Sequence, residues 1–320
     1  MTRSAIALDL GGTQVRAALV RNGAVLRKAT AKTDVAGGPA AVMAQFAALV
    51  AEICGETVAA DIAGVGISSA GPLDTESGVV LGIPTIPGWD RFPFRAAVAE
   101  RFGLPVVLEN DAIAAAYGEW RHGAGKGLRH MVYVTVSTGI GGGAIVDGRL
   151  LHGRMGMAGH VGHMRLAQDG PVCACGATAC FEALASGTAV GLRARRAAAD
   201  HPDSHLGRAA RRGQVEARDV FEGARQGDAI CLDLLAEEAR YLGQGFTGII
   251  HVFSPERIVM GGGVAQAFEL LSGGIRATIA RDAVAPFKPV EVVAAALGDN
   301  AGLIGAAALL LRPASADAVA

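Results

Sequence analysis

Apolar positions along this chain fall into short runs at strand period and longer stretches at helical period, and their order is informative. Residues 6–9 read as a buried strand, Gly11, Gly12 and Thr13 as a tight turn, 15–20 as a return strand, Asn22-Gly23 as a hairpin turn and 24–31 as a third strand. A helix is expected over 39–54, then a strand over 62–68 that ends in a turn-forming loop from Ser69 through Gly71 to Asp74. Residues 79–81 and the segment from Pro84 to Trp89 read as irregular, 94–102 as helix and 105–108 as a strand stopping at Glu109-Asn110-Asp111, with a helix over 112–121. The pattern then restarts: strand 131–136, a glycine turn from Ser137 to Gly143, return strand 144–146, hairpin Asp147-Gly148 and strand 149–152. Helices are expected over 181–199, 220–226, 229–253 and 268–282, and strands over 257–260 and 290–295. A last helix, 301–312, is apolar nearly all round and belongs in a packed interior; the tail 313–320 is expected to be disordered. Two halves opening on the same unit imply an α/β fold with duplicated supersecondary structure, two lobes facing each other across a cleft.

Composition narrows the function classes. The chain has 320 residues, 51% of them hydrophobic, with a formal net charge of −1, which argues against nucleic acid or an anionic membrane as main partner. No apolar run reaches the ~20 residues of a membrane helix, and the N-terminus shows no signal-peptide pattern, so a cytoplasmic location is expected. Five cysteines, three of them clustered, do not resemble a disulfide framework.

The cluster lies in residues 156–182. His163, Cys173, Cys175 and Cys180 form H-x9-C-x-C-x4-C, four soft or borderline donors that suit a closed, structural zinc site. The two glycine turns offer bare backbone to phosphate oxygens: Asp9, Gly11, Gly12 and Thr13 in the first, Thr138, Gly139, Gly141 and Gly142 in the second. Gly262 and Gly263, after a buried strand, could cradle a ligand or simply allow close packing. No Walker A lysine follows any of them. Asn110-Asp111 stands at a strand's carboxyl end, where open α/β sheets bind ligands; Asp111 could take a proton from a substrate hydroxyl, and Asn110 could equally be a helix cap.

Together these motifs resemble the ROK sugar kinases over nearly the whole chain. The resemblance implies a two-lobed, actin-like (ribonuclease H-like) fold with duplicated βββαβαβα units: an N-terminal lobe of 1–115 with helix 301–312, and a C-terminal lobe of 116–300 carrying the zinc loop 156–182. It implies transfer of a phosphoryl group from ATP, with Mg2+, to the 6-hydroxyl of a hexose. Asp111 would be the base and Asp9 would help place magnesium. Gly71, Thr85, Asn110, His160, His163 and Glu182 would face the sugar. A homodimer or dimer of dimers is implied as well.

Departures from the family pattern bear on the sugar. His160 stands where most members have Glu in E-x-G-H, Thr85 where many have Asn, Gln14 where Lys is common, and Ala179 where Gly precedes the last cysteine. The A-G-H-x-G-H form at 158–163 resembles bacterial N-acetylmannosamine kinases, whereas the Pro84–Trp89 stretch is more like the glucose and N-acetylglucosamine members. The expected substrate is therefore N-acetylmannosamine, with N-acetylglucosamine or glucose as alternatives. A sugar-responsive repressor would need a helix-turn-helix module before Asp9, and a non-catalytic sugar sensor would not need both Asp9 and Asp111.

Overall fold

The computed structural model describes residues 3–55, 61–83 and 85–312, so Pro84 and the tail 313–320 lie outside the described residues. The described residues group into two compact units. One comprises the described residues up to Arg129, Gly143–Gly159 and those from Ala296 onward, the other His130–Gly142 and His160–Ala295.

The first half runs β1 (Ser4–Leu10), β2 (Gln14–Arg21), β3 (Ala24–Lys32), α1 (Gly38–Cys54), β4 (Ile62–Ser69), β5 (Leu73–Asp74), β6 (Val79–Val80), α2 (Phe94–Phe102), β7 (Val106–Asn110) and α3 (Asp111–His122). The second runs β8 (Met131–Val136), β9 (Ile140–Val146), β10 (Arg149–Leu150), α4 (Phe181–Ala185), α5 (Gly187–Asp200), α6 (His205–Ala210), α7 (Ala217–Arg225), α8 (Ala229–Phe253), β11 (Arg257–Gly261), α9 (Phe268–Asp282), β12 (Glu291–Ala294) and α10 (Ala301–Leu310). The two sheets have matching orders, β3-β2-β1-β4-β7 and β10-β9-β8-β11-β12. The expected duplication is therefore present as topology.

In the first sheet β1 pairs antiparallel with β2 and parallel with β4, which pairs parallel with β7. Every residue of β1 is buried, as for a central strand covered on both faces. On one face Leu8, Leu10 and Ile67 meet Val42, Phe46 and Leu49 of α1 and Phe94 of α2. On the other, Ala5 and Ala7 meet Leu303 and Ala307 of α10, which explains a helix apolar on all sides. No helix among the described residues is long and apolar enough to cross a membrane.

Several boundaries differ from the sequence reading for identifiable reasons. The single helix expected over 181–199 is broken at Ser186, whose extended backbone lets its hydroxyl cap α5 at Ala189 N–H. β9 begins at Ile140, so Gly141, Gly142 and Gly143 lie in a strand, not in a turn. The short helix α6 and the β5–β6 hairpin lacked a readable period. Trp89, only 1% exposed, packs edge-on to Phe92 and Phe94 and anchors the segment read as irregular.

α10 and α3 touch through glycine. A Cβ on Gly305 would collide with the Ala114 carbonyl, and one on Gly118 would come 2.5 Å from the Ala301 carbonyl. Because neither backbone can retreat without lifting α10 off the sheet, Gly305→Ala should cost about 3 kcal/mol. Urea unfolding would measure it; a loss under about 0.5 kcal/mol would mean that the helix pair yields freely.

Candidate active site and metal centre

In the first unit the candidate residues gather at the carboxyl ends of β1, β4 and β7. Asp9 is buried, and its carboxylate is shared: Ser68 Oγ donates to Oδ1 at 2.7 Å, while Arg16 Nε and Nη2 donate to Oδ2 at 3.0 and 2.8 Å. Arg16 also donates from Nη1 to the Asp299 carbonyl at 2.8 Å, just before α10. A carboxylate has about four acceptor positions; the three donors leave one on Oδ1. Asp9 therefore retains the means to hold a magnesium ion through water. Arg16 and Ser68 were not singled out in the sequence, because only the pairing of β2 and β4 with β1 brings them to Asp9.

Gly11 closes the first turn by donating its N–H to the Gln14 carbonyl at 3.0 Å. Gly12 lies against Thr85, where a Cβ would stand 2.8 Å from Thr85 Oγ1; Thr13 and Gln14 are exposed. Asn110 is indeed a cap: its Oδ1 accepts from Ala112 and Ile113 N–H at the start of α3. Its Nδ2 lies on the side of Gly71, 3.5 Å from where a Cβ on that glycine would be. One side chain thus caps with its oxygen and presents its nitrogen elsewhere, so the two readings of Asn110 do not exclude each other.

Asp111 is the first residue of α3, with Oδ1 accepting from Ala112 N–H at 2.8 Å and the carboxyl set in a recess that water still reaches. Desolvation by the surrounding protein and the negative charge of Asp9 push its pKa up to about 6. At neutral pH it is ionised and able to accept a proton.

In the second unit, Ser137 N–H bonds to the Gly139 carbonyl, and α5 pins the turn: Gly187 N–H donates to the Ser137 carbonyl at 2.7 Å and Thr188 Oγ1 to that of Thr138 at 2.7 Å. Thr138 and Gly263 line a cavity of about 610 Å³ together with Thr188, Arg195, Glu216 and Arg225, a volume suited to a nucleotide. Gly262 has φ +86° and no room for a side chain beside the Val136 carbonyl. Gly263, with free space, is the member of that pair open to a ligand. No local motif marks Arg195 of α5, or Glu216 and Arg225 at the two ends of α7.

His163, Cys173, Cys175 and Cys180 converge with all four ligand atoms within 4.8 Å of one another. Cys175 and Cys180 sulfurs are 3.7 Å apart, and Cys173 Sγ lies 3.8 Å from His163 Nδ1. Those spacings match the ~3.8 Å edge of a tetrahedron with metal–sulfur bonds of about 2.3 Å. Burial and neighbouring thiols push Cys180 up to about 12 and Cys173 upward, so three thiolates this close need a cation among them. The donor set fits a tetrahedral zinc-type ion. Ala179 takes φ +55°, a conformation costing about 1 kcal/mol outside glycine.

Glu182 joins this centre to the second turn. Its Oε2 accepts from Ile140 N–H at 2.8 Å and its Oε1 faces Cys173 Sγ at 3.7 Å. His160 is exposed, its ring 6.3 Å from that of His163 and nearly parallel to it.

The comparisons agree with this picture. Residues 5–312 match the ROK family. The chain belongs to the ROK family. It is 37% identical over 309 residues to the glucokinase of Thermotoga maritima, covering 95% of this chain and 96% of that protein. It is 33% identical to the N-acetylmannosamine kinase of Salmonella heidelberg, covering 95% and 97%. Among solved structures it matches a ROK family glucokinase from Streptomyces griseus in complex with glucose and AMPPNP, with a TM-score of 0.84, 36% identity, and 96% and 98% of the two chains covered. The chain has the ROK sugar kinase fold and is a hexose kinase of this family.

The raised pKa of Asp111 has a measurable consequence. In the folded protein Asp111 ionises only near pH 6, because its surroundings make the charge costly, whereas the unfolded chain ionises near 3.8. The penalty is complete above about pH 6 and absent below about pH 4. The ROK chain carrying Asp111→Asn, neutral at every pH, should melt higher than wild type at about pH 8, with the gap closing between about pH 6 and 4. Thermal melts without ligand test this, and an equal gap at both extremes would exclude ionisation as its source.

Proposed function

We propose that this ROK kinase transfers the γ-phosphoryl group of ATP to the 6-hydroxyl of N-acetylmannosamine in the cytoplasm. The observation carrying the sugar choice is His160. Glu at this position only accepts hydrogen bonds, whereas His can donate, which changes how the substituents at carbons 1 to 3 are read. An axial 2-acetamido group needs a different partner from an equatorial hydroxyl. The exposed His160 ring, stacked beside the metal-held His163, supports this reading. Glucose is the second reading, supported by the higher identity to glucokinases.

In this mechanism Asp111 accepts the proton of the 6-hydroxyl while Asn110 Nδ2 orients that hydroxyl. Magnesium, held through water by Asp9, would offset charge on the phosphates. The nucleotide would occupy the 610 Å³ cavity, with its phosphates against Thr138 and Gly263. Phosphoryl transfer has a loose transition state, so positioning and electrostatics supply most of the rate. Glu182 would bind sugar hydroxyls through the acceptor positions left by Ile140, and zinc in the Cys/His cluster would hold it and His163 in place.

Coupled ADP release across N-acetylmannosamine, N-acetylglucosamine, glucose and mannose tests the assignment. N-acetylmannosamine should give the highest kcat/KM, and His160→Glu should move the ratio to glucose by about tenfold or more. A wild-type preference for glucose would select the second reading. Purified protein should contain one zinc per chain, and Cys175→Ser should lose it with a fall in melting temperature and a rise in sugar KM. Metal analysis showing no zinc in wild type would end the metal assignment.

A further inference from the structure

A row of polar side chains crosses the first sheet directly behind the catalytic turn. Arg16, Asp9, Ser68 and Glu109 are register partners on β2, β1, β4 and β7, one residue from each strand. One end of the row is the Arg16–Asp9 pair. The other is Glu109, only 2% exposed, whose Oε1 accepts the Asn110 N–H at 2.8 Å and whose Oε2 lies 3.1 Å from His152 Nε2. A carboxylate can only accept, so His152 carries the proton on Nε2 in this contact. Removing His152 would leave one oxygen of a buried carboxylate without its partner.

His152 is also the base of a closed loop. Its carbonyl accepts from Ala158 N–H at 2.9 Å, and the Met155 carbonyl within the loop accepts from Thr75 N–H at 3.2 Å. The chain passes from this loop directly into His160. Glu109 therefore fastens two things at once: the backbone of the Asn110-Asp111 turn, and the loop that precedes the sugar-selecting residue.

We propose that His152, acting through Glu109, is a positioning residue for the catalytic turn, coupling the 152–159 loop to the orientation of Asn110 and Asp111. The proposal rests on Asp111 as the base. It is independent of which hexose is preferred, and of the nucleotide cavity, which is lined by other residues.

The test is steady-state kinetics on the full chain with its best hexose, varying sugar and ATP separately. His152→Phe keeps the ring size and removes the donor. It should lower kcat about tenfold or more, with KM for ATP unchanged within about twofold. His152→Gln, whose amide nitrogen reaches the place of Nε2, should restore kcat to within about threefold of wild type. Combined with Glu109→Gln, His152→Phe should cost little more than either change alone. An unchanged kcat in His152→Phe, an equal loss in His152→Gln, or independent multiplicative losses in the double variant would each overturn the proposal. Should His152→Phe not fold, His152→Gln against His152→Asn decides, since asparagine is too short to reach Glu109; equal rates overturn it. Asp111→Asn separates the two ideas. Surviving turnover there removes Asp111 as base, whereas loss there beside a wild-type-like His152→Phe removes only the positioning role.

Discussion

A carboxylate buried at a strand end must be paired or it will not stay ionised, and the active half of the first unit depends on how Asp9 meets that requirement. Arg16 and Ser68 saturate most of its acceptor positions. Because Arg16 reaches on to the Asp299 carbonyl, the same guanidinium ties the first turn to the start of α10. The charge that remains on Asp9 adds to desolvation in raising the pKa of Asp111. Loss of Arg16 would therefore disturb the Asp9 carboxylate and the α10 junction together.

The second unit solves a similar problem with sulfur. Three cysteine sulfurs and an imidazole nitrogen lie within 4.8 Å of one another, and as thiolates the sulfurs would repel, so the arrangement suits a cation among them. Glu182 carries that order onward, with one oxygen toward Cys173 and the other on the Ile140 N–H that begins β9. Glu182 thus links the Cys/His cluster to the second glycine turn within that unit.

Much of this was legible in the chain. The duplicated strand pattern implied the two matching sheet orders, and the spacing of His163, Cys173, Cys175 and Cys180 implied their convergence, because local periodicity and ligand chemistry depend on near neighbours. Asn110 as a cap was equally readable, since capping is a local hydrogen bond. The break at Ser186 rests on an equally local cap, which the apolar run across it masked; the early start of β9 was not readable, because the glycines there pair in a sheet whose partner strands are distant in sequence.

The sequence by itself determined the fold class, the metal donor set, the family and the identity of the candidate base, each a matter of residue type at short spacing. Only the tertiary structure decided which residues support Asp9 and the backbone just before that base. Arg16, Ser68, Glu109 and His152 are ordinary in sequence and become a connected row only when four strands align in register and a distant loop folds back on them. The nucleotide-sized cavity has the same origin: Arg195 joins Glu216 and Arg225 in its lining because α5 packs against α7. Long-range packing leaves no local pattern, and that is the physical reason those residues could not be read in advance.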